Sequence, residues 1–249
     1  MKETHYFFVP DAACCSQLPE EEAQHATRVL RLKEGDTMVL MDGQGTFYDA
    51  EVTLASSHLC SYRVTQTHPQ SRQWPGHLHL AMAPTKMMER TEWLAEKATE
   101  VGLDELTFLD CRFSERHIVK LPRIEKIVVS AVKQSRKAWM PQLNAMTPFA
   151  TFVKAHAPAR GRCCFIAHCY DEVPRTNLFV ELGHASTADD LLVLVGPEGD
   201  FSIDEVRQAV DAGFVSVDLG KSRLRTETAA LAAVMMMQLS RPDGSNGSI

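Results

Sequence analysis

Two segments near the C-terminal end carry residue types and spacing suited to binding a small molecule. Gly196-Pro197-Glu198-Gly199-Asp200-Phe201-Ser202 follows the apolar run LLVLV (191–195). Leu219-Gly220-Lys221-Ser222-Arg223-Leu224-Arg225-Thr226-Glu227-Thr228-Ala229 closes the similar run FVSVDLG (214–220). In open α/β sheets, ligands bind beyond the carboxyl ends of the strands. Gly196 and Gly199 would let backbone approach a ligand closely, and Pro197 would stiffen the turn. The helix expected from Thr226 would offer free N–H groups to a carboxylate. By residue type alone, the two segments fit a ligand pocket or ordinary strand–helix turns equally well. Other chemistries lack their motifs. No GxGxxG follows the first strand, and neither GxxxxGK[ST] nor GxSxG occurs.

The elements that must position these segments are legible as an alternation of strands and helices. HLHLAMAP (77–84), ELTFLD (105–110), CCFIAH (163–168), LLVLV and FVSVDLG are short and apolar, as buried parallel strands are. Met87, Thr91, Leu94, Ala98 and Val101 form one stripe of a helix that Gly102 can close. Ile124, Ile127, Val128, Ala131, Val132 and Ser135 mark the inner face of a second helix. Ser202 with Glu205 predicts a capping box opening a helix at 203–212, and Thr226 is the expected N-cap of a helix at 227–240. The first seventy residues differ in texture. EEEAQHATRVLRL has a helical pattern, DGQG (42–45) separates two strand-like runs as a hairpin turn, and HLCSYRVTQTH alternates as a strand. HPQSRQWPG (68–76) is the expected linker. The fold class is therefore α/β: a small β-rich domain over 1–70, then a domain with a mostly parallel sheet over 77–240. The tail RPDGSNGSI reads as loose.

The net charge of -6 argues against a protein that coats nucleic acid uniformly. The charge is unevenly placed, however. Arg112, Arg116, Lys120, Arg123, Lys126, Lys133, Arg136 and Lys137 stand against only Glu115 and Glu125, while the stretch from Glu181 to Asp218 is rich in carboxylates. A basic stripe on an acidic chain suits a local phosphate contact, or simply a solvated helix face. The seven cysteines include two adjacent pairs and no CxxC, so neither a disulfide framework nor a zinc site is expected. His25, His117 and His168 have no metal-ligand spacing. No apolar run reaches membrane-spanning length, and the N-terminus lacks the apolar core of a signal peptide, so a soluble cytoplasmic protein is expected. The MMM run (235–237) covers most of a helical turn and should be buried on more than one side.

GPEGDFS followed by LGKSRLRTETAA resembles the paired signature of the RsmE family, the ribosomal RNA uridine-N3 methyltransferases of the SPOUT class. HATRVLRLKEGD (25–36), KMMERTEWLAEKATEVGLDEL with FSERH (113–117), and VKQSRKAWMP (132–141) are similar to further blocks of that family, in order along nearly the whole chain. The resemblance implies an N-terminal PUA-like RNA-binding β-barrel and a trefoil-knotted SPOUT domain. It also implies S-adenosyl-L-methionine as methyl donor, 16S ribosomal RNA or the small ribosomal subunit as partner, and a homodimer. Carried onto this sequence, it assigns donor binding to Leu194, Gly196, Pro197, Gly199, Leu219, Gly220, Leu224, Arg225, Thr226, Thr228 and Ala229. Arg225 and Glu227 become the catalytic candidates, a cation for the uracil anion and a carboxylate for the N3 proton. Glu227 would also be favourable at a helix N-terminus without any catalytic role. Arg28, Arg31, Arg116 and Arg136 are the expected RNA contacts, with Lys33, Arg90, Arg112 and Lys133 as further candidates. Two other readings fit the same motifs: a SPOUT enzyme acting on another RNA, and a non-catalytic RNA-binding assembly factor.

Overall fold

A computed structural model describes residues 4–241 of the chain. Of the expected loose tail, Arg241 is instead buried, its guanidinium donating to the Ser186 and Asp189 carbonyls, and the rest, from Pro242 onward, lies outside the described residues. The chain forms two compact units, one of residues 4–72 with 129–140 and one of residues 73–128 with 141–241. No helix among the described residues is long and apolar enough to cross a membrane.

The first unit is built on a four-stranded mixed sheet in the order β1 (Tyr6–Phe8), β2 (Thr37–Met41), β3 (Thr46–Ala55), β4 (Cys60–Pro69). β1 runs parallel to β2, and the other pairs are antiparallel. The expected DGQG hairpin is present. Asp42 Oδ1 accepts hydrogen bonds from the amides of Gln44 (2.7 Å) and Thr46 (3.0 Å), which sets the β2–β3 turn. The predicted helix over EEEAQHATRVLRL is broken up. α1 covers only Glu20–Gln24 and passes into a π-helical turn, His25–Val29. The wider turn follows from the Leu30 amide reaching back five residues to the His25 carbonyl at 3.1 Å. Lys133 donates to the Glu22 carboxylate at 2.6 Å, and the Arg72 guanidinium lies 4.0 Å from the Trp139 ring centroid.

The second unit carries seven strands, all parallel, in the order β7 (Gln142–Pro148), β6 (Glu105–Asp110), β5 (Leu78–Met82), β10 (Asp190–Val195), β8 (Arg162–Ala167), β11 (Val215–Asp218), β9 (Thr176–Asn177). β5 and β10 are central and buried along nearly their whole length, as two covered faces require. Phe149, Phe152 and Val153 of α4 (Phe149–Ala155) join Val206 and Ala209 of α6 (Ile203–Asp211) in one core cluster with β5, β8 and β10 residues. α2 (Met88–Val101) and α7 (Thr226–Leu239) pack on each other, and α7 packs on β5 and β10. α5 (Leu178–Leu182) packs on α7, and α3 (Leu121–Ser135) begins in this unit and ends in the first; of its predicted stripe Ile124, Val128, Ala131 and Val132 are buried and Ile127 and Ser135 partly so. Met87 departs from its predicted stripe: it precedes α2 as the N-cap in extended backbone and is largely exposed. Met237 is fully buried and Met235 half-exposed, so the methionine run is buried on one side only.

A polar network lies across β5, β6 and β7. Buried His79 bonds Thr107 Oγ1 at 2.8 Å, Glu105 bonds His77 at 2.8 Å, and Asn144 bridges Glu105 and Thr107. Burial pushes His79 from 6.5 down to about 4, outweighing the attraction of Glu105. Between those values the folded chain holds fewer protons than the unfolded one, so stability falls as pH drops through that window, by about 3 kcal/mol. For Glu105 burial is the largest single effect and acts upward, but the hydrogen bonds from His77 and Asn144 and the attraction of both histidines together outweigh it and hold it at about 2. Its contribution is lost only as pH falls below the ordinary carboxylate range. In urea unfolding at pH 7 and pH 4.5, His79→Gln is expected to lose less stability on acidification than wild type. Equal losses would contradict this account of the network.

Candidate functional site

The C-terminal ends of β8, β10 and β11 surround a cavity of about 480 Å³. The two segments singled out in the sequence form opposite parts of its wall. Gly196, Pro197, Glu198, Gly199 and Asp200 contribute one side, and Leu219, Gly220, Ser222, Arg223, Leu224, Arg225, Thr226 and Ala229 the other. Ala167, His168, Cys169 and Arg175 complete it from the β8 end, and Arg90 from α2. Two expected donor contacts lie off the wall. Leu194 is buried in the core, with Val195 lining the cavity in its place, and Thr228 is exposed.

The first loop is held by its own residues. The Lys86 amide donates to Glu198 Oε1 at 2.8 Å, and the Cys169 amide donates to Asp200 Oδ2 at 2.8 Å. Glu198 and Asp200 thereby tie the loop to the chain following β5 and β8. Asp200 has a left-handed backbone (φ 69°), stabilised by the Phe201 amide donating to its Oδ1 at 2.7 Å. Phe201 turns inward, fully buried, with its ring centroid 5.3 Å from that of Phe149. The expected capping box is formed: the Glu205 amide donates to Ser202 Oγ, and the Ser202 amide donates to Glu205 Oε2 at 2.8 Å.

The second loop leaves β11 through Gly220, whose amide donates to Asp218 Oδ1 at 2.9 Å. Gly220 has φ +110°, which requires glycine, and a Cβ there would meet nothing within 4 Å, so its backbone stays open. Thr226 is the first residue of α7 rather than its cap; Arg225 takes the cap position in extended backbone. The Thr226 side chain is buried against the cavity wall instead, and no side chain caps the helix. The first amides of α7 are left available to an anionic group.

Charge is mixed around the cavity. Glu198, Asp200 and Asp218 provide carboxylates, and Arg90, Arg175, Arg223 and Arg225 provide cations. His168 accepts from the Tyr170 amide at Nδ1 and contacts Ser216 Oγ through Nε2. Burial lowers its pKa, so the ring is neutral near pH 7, with its proton on Nε2. Glu227 is buried and does not itself line the cavity. Its Oε1 lies 3.6 Å from Arg90 Nε, while Oε2 has no hydrogen-bond partner.

The basic candidates separate. Arg28 is exposed in the first unit, bonded to the Ser57 carbonyl and the His58 ring. Arg31 and Arg136 are exposed with left-handed backbones, and Arg136 lies over Tyr6. Arg116 belongs to the second unit and donates to the Thr85 and Lys86 carbonyls, clipping the loop after β5. His25, His117 and His168 belong to no metal-holding group among the described residues.

Residues 72–238 match the family described as RNA methyltransferase domain, and residues 18–62 match the RNA methyltransferase PUA domain. The Ribosomal RNA small subunit methyltransferase E of Mycobacterium bovis is 31% identical over 234 residues, covering 91% of this chain and 87% of that protein. The chain belongs to the ribosomal RNA small subunit methyltransferase E family. Two solved structures are similar over nearly the whole chain. The crystal structure of a probable rRNA-methyltransferase from Porphyromonas gingivalis has 38% identity and a TM-score of 0.88, covering 95% of this chain and 98% of that one. A structure from Legionella pneumophila, solved in complex with the bound cofactor SAM, has 25% identity and a TM-score of 0.80, covering 96% of this chain and 98% of that one. The α/β class with a parallel SPOUT-like sheet and a smaller mixed sheet, expected from the sequence, is the fold observed.

Proposed function

We propose that this chain transfers a methyl group from S-adenosylmethionine to N3 of a uridine in 16S ribosomal RNA of the small ribosomal subunit. The observation that carries the proposal is the cavity built jointly by the 196–200 and 219–226 loops at the strand ends. Its volume is in the range of cofactor sites. Its chemistry fits the donor: carboxylates for a sulfonium and an ammonium group, the second-loop arginines Arg223 and Arg225 and uncapped α7 amides for a carboxylate, and open backbone at Gly220. When bound, the donor supplies a methyl group on sulfur; N3 forms the new C–N bond, the C–S electron pair stays on sulfur as a thioether, and the N3 proton passes to solvent. The protein's share is to hold the acceptor nitrogen in line with that carbon and to exclude competing water. Gly196, Pro197, Gly199, Leu219, Gly220, Leu224, Thr226 and Ala229 form the holding surface. Arg225, which lines the cavity from the second loop, joins that surface.

Incubation with undermethylated small ribosomal subunits and isotopically labelled donor tests the proposal. Nucleoside mass spectrometry should find the label in 3-methyluridine. Label on a ribose, or only in another RNA, would favour the rival SPOUT activity, and no donor binding in calorimetry would favour an assembly factor.

Arg28, Arg31 and Arg136 of the first unit are the proposed phosphate contacts. The Arg28→Ala/Arg31→Ala double variant should flatten the salt dependence of RNA binding by about two ion equivalents. An unchanged slope would clear these residues of that role. We further propose a homodimer acting in the cytoplasm, where its ribosomal substrate resides. Exposed Met235 and Leu239 on α7, beside exposed Phe179 and Val180 on α5, support a second copy as the partner of that face. The path of α7 from β11 back over β10 and β5 supports the knotted crossing that a SPOUT core requires.

A further inference from the structure

We propose that Arg90 is the catalytic cation of the methyl transfer and that Glu227 is a positioning residue acting through it. The inference rests on the proposed function and assigns its division of labour. Of the four arginines at the cavity, Arg175 is committed to Asp171 and the His168 carbonyl, at 2.7 and 2.9 Å. Arg223 and Arg225 are exposed on a loop, where water weakens their field. Arg90 differs from all three. It sits in the first turn of α2, borders the cavity with its side chain one-third exposed, and has a buried carboxylate behind it.

The Arg90–Glu227 contact is a loose one. At 3.6 Å the Nε to Oε1 separation exceeds a hydrogen bond, and Glu227 Oε2 is buried without any partner. A carboxylate left this unsatisfied is costly for the fold unless a cation compensates it. Glu227 thus holds the guanidinium by charge while leaving its two terminal nitrogens without a hydrogen bond among the described residues. Removing the N3 proton of uracil spreads negative charge onto O2 and O4. A guanidinium N–H donating to one of those oxygens stabilises the anion and leaves the N3 electron pair free to attack. Arginine stays protonated under all working conditions, so the N3 proton passes to water and Arg90 neither gains nor loses one. Glu227 is poorly placed as the base, because it is nine-tenths buried and Arg90 stands at the cavity wall.

Single-turnover transfer to undermethylated small ribosomal subunits, at saturating donor and across a range of pH, tests the assignment. Binding of S-adenosylhomocysteine is measured in parallel by calorimetry. Arg90→Ala and Arg90→Gln are expected to lose about a hundredfold to a thousandfold at neutral pH. The deficit should shrink as pH rises, because more of the base ionises unaided. Arg90→Lys, which keeps the charge without the planar fork, should lose about tenfold, and homocysteine-product affinity should be unchanged in all three. Glu227→Gln should lose less than Arg90→Ala. Should Arg90→Ala not fold, Arg90→Gln and Arg90→Lys decide the matter. Wild-type rates in Arg90→Gln, a deficit constant with pH, or a larger loss in Glu227→Gln each overturn the assignment. Absence of transfer by the wild-type chain would instead overturn the proposed function, and the role of Arg90 with it.

Discussion

Gly196→Ala is expected to weaken binding of S-adenosylhomocysteine by about a hundredfold or more, equivalent to about 3 kcal/mol. The added carbon would lie 2.8 Å from the Phe201 amide nitrogen, 3.1 Å from the Phe201 ring and 3.2 Å from the Asp200 carbonyl carbon. Two of these neighbours are backbone and cannot rotate away. The loop must therefore open, and opening it strains the bonds that Glu198 and Asp200 accept from the Lys86 and Cys169 amides. Because those bonds shape one wall of the cavity, the loss falls on donor binding, with about 1–3 kcal/mol lost from stability by overpacking. Gly199→Ala is the control for stability: its new carbon would stand an ordinary 3.5 Å from Phe113 Cβ. Calorimetry and thermal unfolding of both variants separate the two effects. Undiminished binding by Gly196→Ala would mean that the 196–200 loop does not shape the donor site.

Phe201→Ala is expected to cost about 3–5 kcal/mol of folding stability. Phe201 is fully buried among Phe149, Val206 and the apolar residues of β8 and β10, so its removal leaves a cavity that rigid strands cannot close. Its carbonyl also accepts the Tyr170 hydroxyl at 2.8 Å, so collapse of this residue would carry the loop after β8 with it. The urea midpoint should fall sharply and donor affinity should fall as well. Val215→Ala, at a half-exposed position, should change stability by less than about 1 kcal/mol. A similar effect for both substitutions would contradict the packing described for the 196–202 segment.

These two positions show why part of the molecule was legible in its sequence. Local signals survived where neighbours in sequence satisfy one another. Ser202 and Glu205 close their own capping box, Asp42 folds the DGQG turn onto itself, and the run of apolar residues in β10 has the composition of a strand covered on both faces. Signals failed where distant residues decide. β7 alternates irregularly because it is an edge strand, and β9 is two residues long, so neither has a readable period. Thr226 looked like a cap by its type, but the cavity takes its side chain and leaves the role to Arg225. The helical pattern after Glu20 gives way to a wider turn that no periodicity encodes.

The site shows the same division. The two glycine loops were visible as residue types, and their convergence on one cavity follows from β10 and β11 flanking β8 in a parallel sheet. The partnership of Arg90 with Glu227 was not visible. Their positions are far apart in the chain, and Arg90 by its type alone was one more candidate for a phosphate. Only the packing of α2 on α7 brings the pair together and turns a surface charge into a backed cation.

A crystal structure with S-adenosylmethionine bound tests the central claim most directly. The account predicts the donor between the 196–200 and 219–226 loops, with its methyl group on the side of the cavity that Arg90 borders. A donor bound outside those loops, or with its methyl group turned away from Arg90 toward the sheet, would contradict it.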